Sequence, residues 1–300
     1  MPHVILTDGA QISFNVLGSE HLGRASPIVL IGGVSSLRGD WERLATSLAR
    51  VRPVLVYDHR GMGDSKLANR NEMLTLELLA RDLLHVLEYL RWTEVAICGF
   101  SMGGAVAQEL LFLPHHTERP TPLPFRVTHV LLTGSLCSAL RDTRYGVHLP
   151  PVPDRPLSEQ DKLDLARPAL ESMFDPKWIA DPRNASQRDR WLRSHVNRAY
   201  ILIVKQLKAM NRMDFTGMHA KLSRNIQFLV IHGELDAILP PYCGQEILQR
   251  IPWARPVEVG THPGAIENLE FGHVWYEYFD VRVWHDVVEK FLATTHLARL

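Results

Sequence analysis

Three side chains far apart in the 300-residue sequence are of the types that make a hydroxyl reactive: Ser101, Asp236 and His273. A serine attacks a carbonyl when a base takes its proton and an acid holds that base in line. Ser101 stands in Gly99-Phe100-Ser101-Met102-Gly103, after the apolar run Val95-Ala96-Ile97-Cys98 and before the helix-forming run 105–111. That order reads as strand, sharp turn, helix. The two glycines lack a Cβ, so strand and helix can close around a serine on a crowded turn. The turn also sets the Met102 amide at a helix N-terminus, where a developing oxyanion is stabilised. The same pentapeptide can be an ordinary glycine turn with an idle serine, and only its flanking strand and helix raise it to a candidate.

The partners should lie at later strand ends. After the strand expected over 226–232 comes Gly233-Glu234-Leu235-Asp236, with Pro240 following. A carboxylate in such a glycine-opened turn can reach across the sheet edge. Asp236 fits, with Glu234 as the rival acid. Fifteen histidines are present, so most are bystanders. His273, after Gly272 and just ahead of the last helix, has the chain order serine, acid, histidine; His262, in Gly260-Thr261-His262-Pro263, is the competitor. A second oxyanion amide is expected in the loop after the first buried strand, at Val34, with Gly33 shaping the turn. Phe100 and Met102 flank the serine and favour an apolar group nearby. Trp178, Trp191 and Trp275 are candidate pocket walls or, equally, ordinary packing.

These residues need a scaffold. Residues 3–6 and 11–17 read as short strands joined at Asp8-Gly9, a hairpin signal. The runs 28–31 and 53–57 are apolar throughout, as in strands covered on both faces of a parallel sheet. Asp40 is expected to cap a helix carrying Leu44 and Leu48, and leucines 76, 79, 83, 87 and 90 mark a longer one. A further strand is expected over 127–133. The alternation then breaks. Residues 139–222 hold prolines 150, 151, 153 and 156, apparent caps at Ser158 with Asp161 and Ser186 with Asp189, and a helix from Tyr200 to about Met213. Pattern resumes with the strand at 226–232, a helix at 242–250, a strand near 256–259 and an amphipathic helix carrying Val283, Trp284, Val287, Val288 and Phe291. The expectation is a doubly wound, mostly parallel α/β sheet formed by 1–138 and 223–300, with 139–222 inserted as a helical cap. Function in such sheets lies at the carboxyl ends of strands, where Gly33, Arg60 and Ser101 fall.

Bulk properties narrow the partners. Lys plus Arg equals Asp plus Glu at 33 each, so no basic field favours nucleic acid. No run nears the roughly 18 apolar residues that span a bilayer. The first residues lack the charged and apolar regions of a signal peptide. Three separated cysteines (98, 137 and 243) suit a reducing compartment and lack metal-ligand spacing; the expected location is the cytoplasm, with no metal or cofactor. Nothing in the sequence sets an oligomeric state.

Taken together the motifs resemble the α/β-hydrolase fold superfamily, in its capped esterase and lactonase branch. The match is carried by Gly32-Gly33 after a strand, Asp58-x-Arg60-Gly61-x-Gly63-x-Ser65, the serine turn, and Gly233-x-x-Asp236 followed by Gly272-His273. The resemblance implies a triad of Ser101, Asp236 and His273, with oxyanion amides at Val34 and Met102. A serine at the turn sets the chain apart from members with an aspartate nucleophile, such as haloalkane dehalogenases. Two departures stand out: the family often has His-Gly where this chain has Gly32-Gly33, and the stretch from Asp236 to His273 is longer than usual. Arg60 is expected to be structural. The activity implied is hydrolysis of a small, fairly apolar ester or lactone. A ligand receptor with little turnover, and carbon–carbon hydrolysis, lyase or cofactor-free perhydrolase chemistry, are the alternatives on the same fold.

Overall fold

The computed structural model describes residues 2–151, 155–196 and 198–294. Eight strands form one sheet: β1 (His3–Ile5), β2 (Gln11–Leu17), β3 (Ile28–Ile31), β4 (Val54–Tyr57), β5 (Glu94–Phe100), β6 (Arg126–Thr133), β7 (Gln227–Ile231) and β8 (Arg255–Pro256). Their spatial order is β1-β2-β4-β3-β5-β6-β7-β8. The β1–β2 and β2–β4 pairs are antiparallel and the rest parallel. The helices are α1 (Glu42–Leu48), α2 (Leu76–Leu90), α3 (Met102–Phe112), α4 (Glu159–Met173), α5 (Pro176–Ala180), α6 (Ala185–His195), α7 (Tyr200–Asn211), α8 (Tyr242–Arg250) and α9 (Val281–Leu292).

Side chains alternate across each strand, so the apolar runs feed two cores. Val29, Ile31, Leu55, Val95 and Ile97 face a core built with α2, α3 and α8. Ile28, Leu30, Val54, Val56 and Cys98 face the other, built with α1 and α9. Both faces are covered, which is why these strands are apolar throughout. Helices α4 to α7 all fall between β6 and β7, where the alternation was expected to break.

Several local expectations change. Asp40 does not cap α1: it sits in a short turn at 38–41, accepts from the Leu37 N–H at 3.0 Å, and pairs with Arg198. Ser158 and Asp161 do form a reciprocal cap on α4. Ser186, in contrast, lies inside α6, because a turn at 182–184 capped by Asp181 starts the helix early. The last strand is the pair Arg255–Pro256, and Val259 makes only an isolated bridge to Ile266. Pro256 has no N–H to extend the ladder. Pro153 lies outside the described residues.

Candidate active site

Ser101 is the hinge between β5 and α3. Its backbone has φ 54° and ψ −122°, a region that L-residues avoid. Neighbours hold it there. Its N–H donates to the Thr133 carbonyl at 2.9 Å, and its carbonyl accepts from the Gly104 N–H at 3.0 Å and the Ser135 hydroxyl at 2.8 Å. The glycines around it are required by space. A Cβ on Gly103 would overlap the Ile31 carbonyl oxygen, and one on Gly99 would come 2.6 Å from the Gly104 Cα. The tight turn thus lifts the hydroxyl above the carboxyl edge of the sheet.

The structure brings His273 and Asp236 to that hydroxyl. His273 Nε2 lies 3.0 Å from Ser101 Oγ, and His273 Nδ1 lies 2.8 Å from Asp236 Oδ2. The other carboxylate oxygen accepts from the Ile238 and Leu239 N–H groups at 2.9 and 2.8 Å, which fixes its orientation. An ionised carboxylate only accepts, so Nδ1 carries the imidazole proton and Nε2 is free to accept from the serine. All three side chains are buried. Phe100 braces the imidazole, its ring centroid 4.8 Å away. His232 stands 3.5 Å from Asp236, but it donates to the Leu239 carbonyl, and burial lowers its pKa.

The rivals are elsewhere. His262 is more than half exposed and pairs with Glu258 at 3.0 Å. Glu234 is exposed. Arg60 is buried in an ion-pair cluster with Asp82, Asp8 and Glu72, which ties the loop after β4 to α2. Trp275 is corrected: it is fully buried, with ring centroids 4.6 Å from Trp284 and 5.4 Å from Tyr276, and is core rather than pocket wall. Trp178 stacks on Phe174 at 3.9 Å, whereas Trp191 does reach the recess beside Ser101. The three cysteines are free and buried, and burial pushes each thiol up to about 12, which removes them as nucleophiles.

The loop after β3 passes close over the serine. A Cβ on Gly33 would come 2.9 Å from Ser101 Cβ, so only glycine lets the chain through. Val34 and Met102 offer amide N–H groups with no acceptor among the described residues. Where the family's histidine is absent, other residues order this loop. His59, kept neutral by burial, donates from Nε2 to the Gly32 carbonyl at 2.8 Å. Gln206 of α7 accepts from the Ser35 N–H at 2.8 Å. Arg198 donates to the Ser35 carbonyl at 2.8 Å and to Asp40 at 2.7 Å. None of these was singled out from the sequence. Nothing in the sequence marks Gln206, which follows Lys205 just beyond the apolar patch 200–204.

Ser101 opens onto a cleft of about 720 Å³ whose walls include Val34, Leu136, Leu140, Val147, Met210 and Ile238. It is wide enough for a small organic substrate and mostly apolar. Glu77, Glu109 and His116 form a cluster of possible metal ligands, but Glu109 is eight residues from Ser101, about 12 Å along α3. Arg81 already pairs with Glu77 there. Among the described residues no helix is long and apolar enough to cross a membrane.

Comparison with known proteins gives the same frame. A model of the alpha/beta hydrolase family matches residues 28–278. A protein of Cronobacter turicensis named "Putative carbamate hydrolase RutD" is 23% identical over 245 residues, covering 82% of this chain and 86% of that protein. The crystal structure of an enol-lactonase from Burkholderia xenovorans superposes with a TM-score of 0.74 at 20% identity, covering 98% of this chain and 100% of the other. An esterase from Exiguobacterium antarcticum gives a TM-score of 0.73 at 18% identity, covering 97% of this chain and 99% of that one. Such distant likenesses establish the fold, and the family match spans both the serine turn and the histidine that meets it. The chain belongs to the alpha/beta hydrolase family.

Proposed function

We propose that the protein is a serine hydrolase cleaving a small, fairly apolar carboxylic ester or lactone, with Ser101, His273 and Asp236 as its triad. Ser101 Oγ attacks the carbonyl carbon while His273 Nε2 takes its proton. The oxyanion that forms faces the Val34 and Met102 amides at the head of α3. Collapse expels the alcohol, which takes the proton from His273. A water, deprotonated by the same nitrogen, then releases the acid and restores the serine. Asp236 holds the imidazole throughout. The helices within 139–222 act as a cap whose residues shape the cleft.

One observation carries this reading: the continuous hydrogen-bonded line from Ser101 Oγ through both nitrogens of His273 to Asp236. The protein named as a putative carbamate hydrolase, the enol-lactonase and the esterase are all named for substrates whose carbonyl carries an oxygen or nitrogen leaving group, which agrees with it. The test is labelling with a fluorophosphonate probe, followed by peptide mass mapping and turnover of p-nitrophenyl butanoate, simple lactones and an aryl carbamate. The expected result is one adduct, on Ser101, with hydrolysis of at least one of these classes. Folded protein that neither labels nor turns over any of them overturns the proposal and leaves a ligand-binding role.

A further inference from the structure

Beside Ser101, adjoining the wide cleft along Val34, Val147 and Ile238, lies a recess of about 30 Å³. It has room for a water or one small substituent. Most of its wall is apolar, including Val34, Phe100, Val147, Met173 and Ile238. Two polar rings of α6 interrupt that wall, Trp191 and His195, stacked with centroids 5.4 Å apart. Both are buried, at 4% and 8% exposure. The Trp191 indole N–H and the His195 Nε2 have no hydrogen-bond partner among the described residues. Buried polar atoms in folded proteins are nearly always paired, so an orphan in the wall of a reactive pocket points to a partner that arrives with the substrate.

The chemistry of that partner follows from the imidazole. His195 Nδ1 lies 2.8 Å from the Trp191 carbonyl oxygen, which only accepts, so Nδ1 carries the proton. Burial, and then the charge of Arg198, hold the His195 pKa down to about 3, so the ring is neutral. Nε2 therefore offers a bare lone pair, on the ring edge turned away from its own helix backbone. Arg198 also lines the recess, but its guanidinium N–H groups go to Ser194, Ser35 and Asp40, leaving no donor directed at an anion there. The wide cleft has exposed residues at its rim, among them Thr143 and His148, and suits the departing alcohol; the smaller recess suits the acyl side.

We propose that His195 sets substrate specificity: its Nε2 accepts a hydrogen bond from a hydroxyl or amide N–H on the acyl part of the substrate, within a few atoms of the carbonyl that Ser101 attacks. Trp191 adds a donor from the same helix turn, so a hydroxyl, which both gives and accepts, satisfies both orphans. This rests on the hydrolase reading and narrows its substrates from plain apolar esters to hydroxy- or amido-acyl esters and lactones.

Two pairs of p-nitrophenyl esters test it: 3-hydroxybutanoate against butanoate, and N-acetylglycinate against 4-oxopentanoate, in which CH2 replaces the N–H. Each kcat/KM is divided by the ester's rate of alkaline hydrolysis. A site built to hydrogen-bond a group discriminates strongly against the analogue that lacks it. The wild type is expected to favour the donor-bearing member of at least one pair by about ten-fold or more. The ratio should fall to within about two-fold of unity in His195→Leu and survive in part in His195→Gln, whose amide oxygen can stand where Nε2 stood. Fluorophosphonate labelling of each variant reports whether the serine site is still assembled. Wild-type ratios near unity for both pairs overturn the proposal without any variant, as does a ratio unchanged in His195→Leu. Wild-type protein that neither labels nor hydrolyses any of the four esters instead removes the hydrolase reading, and this proposal with it.

Discussion

Ser101 holds a backbone conformation that costs on the order of 1–3 kcal/mol, and three hydrogen bonds, to Thr133 of β6, Gly104 of α3 and Ser135 in the loop after β6, keep it there. Replacing Ser101 by alanine leaves those backbone bonds in place. Turnover of p-nitrophenyl butanoate is therefore expected to fall by roughly 10⁴-fold or more, while the circular dichroism spectrum and melting temperature stay close to wild type. Retained activity would mean that another group attacks. Asp236→Asn is a finer probe. The amide can present its NH2 to His273, which puts the imidazole proton on Nε2 and blocks acceptance from the serine. A drop of about 10⁴-fold in kcat with little change in KM is expected, read from steady-state kinetics near neutral pH. Asp236, His273 and Ser101 were legible in the sequence because each follows a strand end or precedes a helix beside a glycine. His59, Gln206 and Arg198, which order the loop after β3, were not, since they bond its backbone atoms, which no sequence pattern marks, and Arg198 in addition the distant Asp40.

At the scale of elements, α3 approaches β3 so closely that a single methyl is excluded. The Gly103→Ala methyl would overlap the Ile31 carbonyl, so this variant is expected to lose folded, soluble protein. A soluble variant with an unchanged melting temperature would contradict the packing described. The α6–α7 region is fastened differently, by a buried ion pair between Arg198 and Asp40. Arg198→Leu strands that carboxylate and is expected to destabilise the protein by about 3–5 kcal/mol in urea titration. Adding Asp40→Asn should recover part of that loss. Strand and helix periodicity made the sheet readable, because burial on both faces leaves an uninterrupted apolar signature. Periodicity could not fix Asp40, Ser186 or the final strand. Asp40 is claimed by an arginine 158 residues away, α6 starts early on a turn, and Pro256 cannot sustain a ladder.

For the whole molecule, buried titrating groups set the response to acid. Burial, with help from nearby arginines, lowers His195 to about 3 and His219 to about 4. The unfolded chain takes up these two protons near pH 6.5, whereas the native state refuses them until well below 5. Stability therefore falls as pH drops from 6.5 toward 4, by about 1.4 kcal/mol per pH unit for each such proton. Glu109, raised to about 7 by burial and by Glu77, and Asp82, raised to about 6 by burial, work in the opposite sense, but burial also lowers His59, His129 and His232, so the histidines outnumber the acids. Urea midpoints are expected to decline over this range, and His219→Gln, which can still donate to Gln108, should flatten the slope. An unchanged slope in that variant would exclude His219 as a source. The fastening of Ser35 by Gln206 and Arg198 also bears on engineering. A chimera that exchanges residues 139–222 for a foreign segment removes both anchors at once, so the amide neighbouring Val34 drifts and Asp40 loses its cation. A transplant that is to retain reactivity must bring its own glutamine and arginine to those two spots.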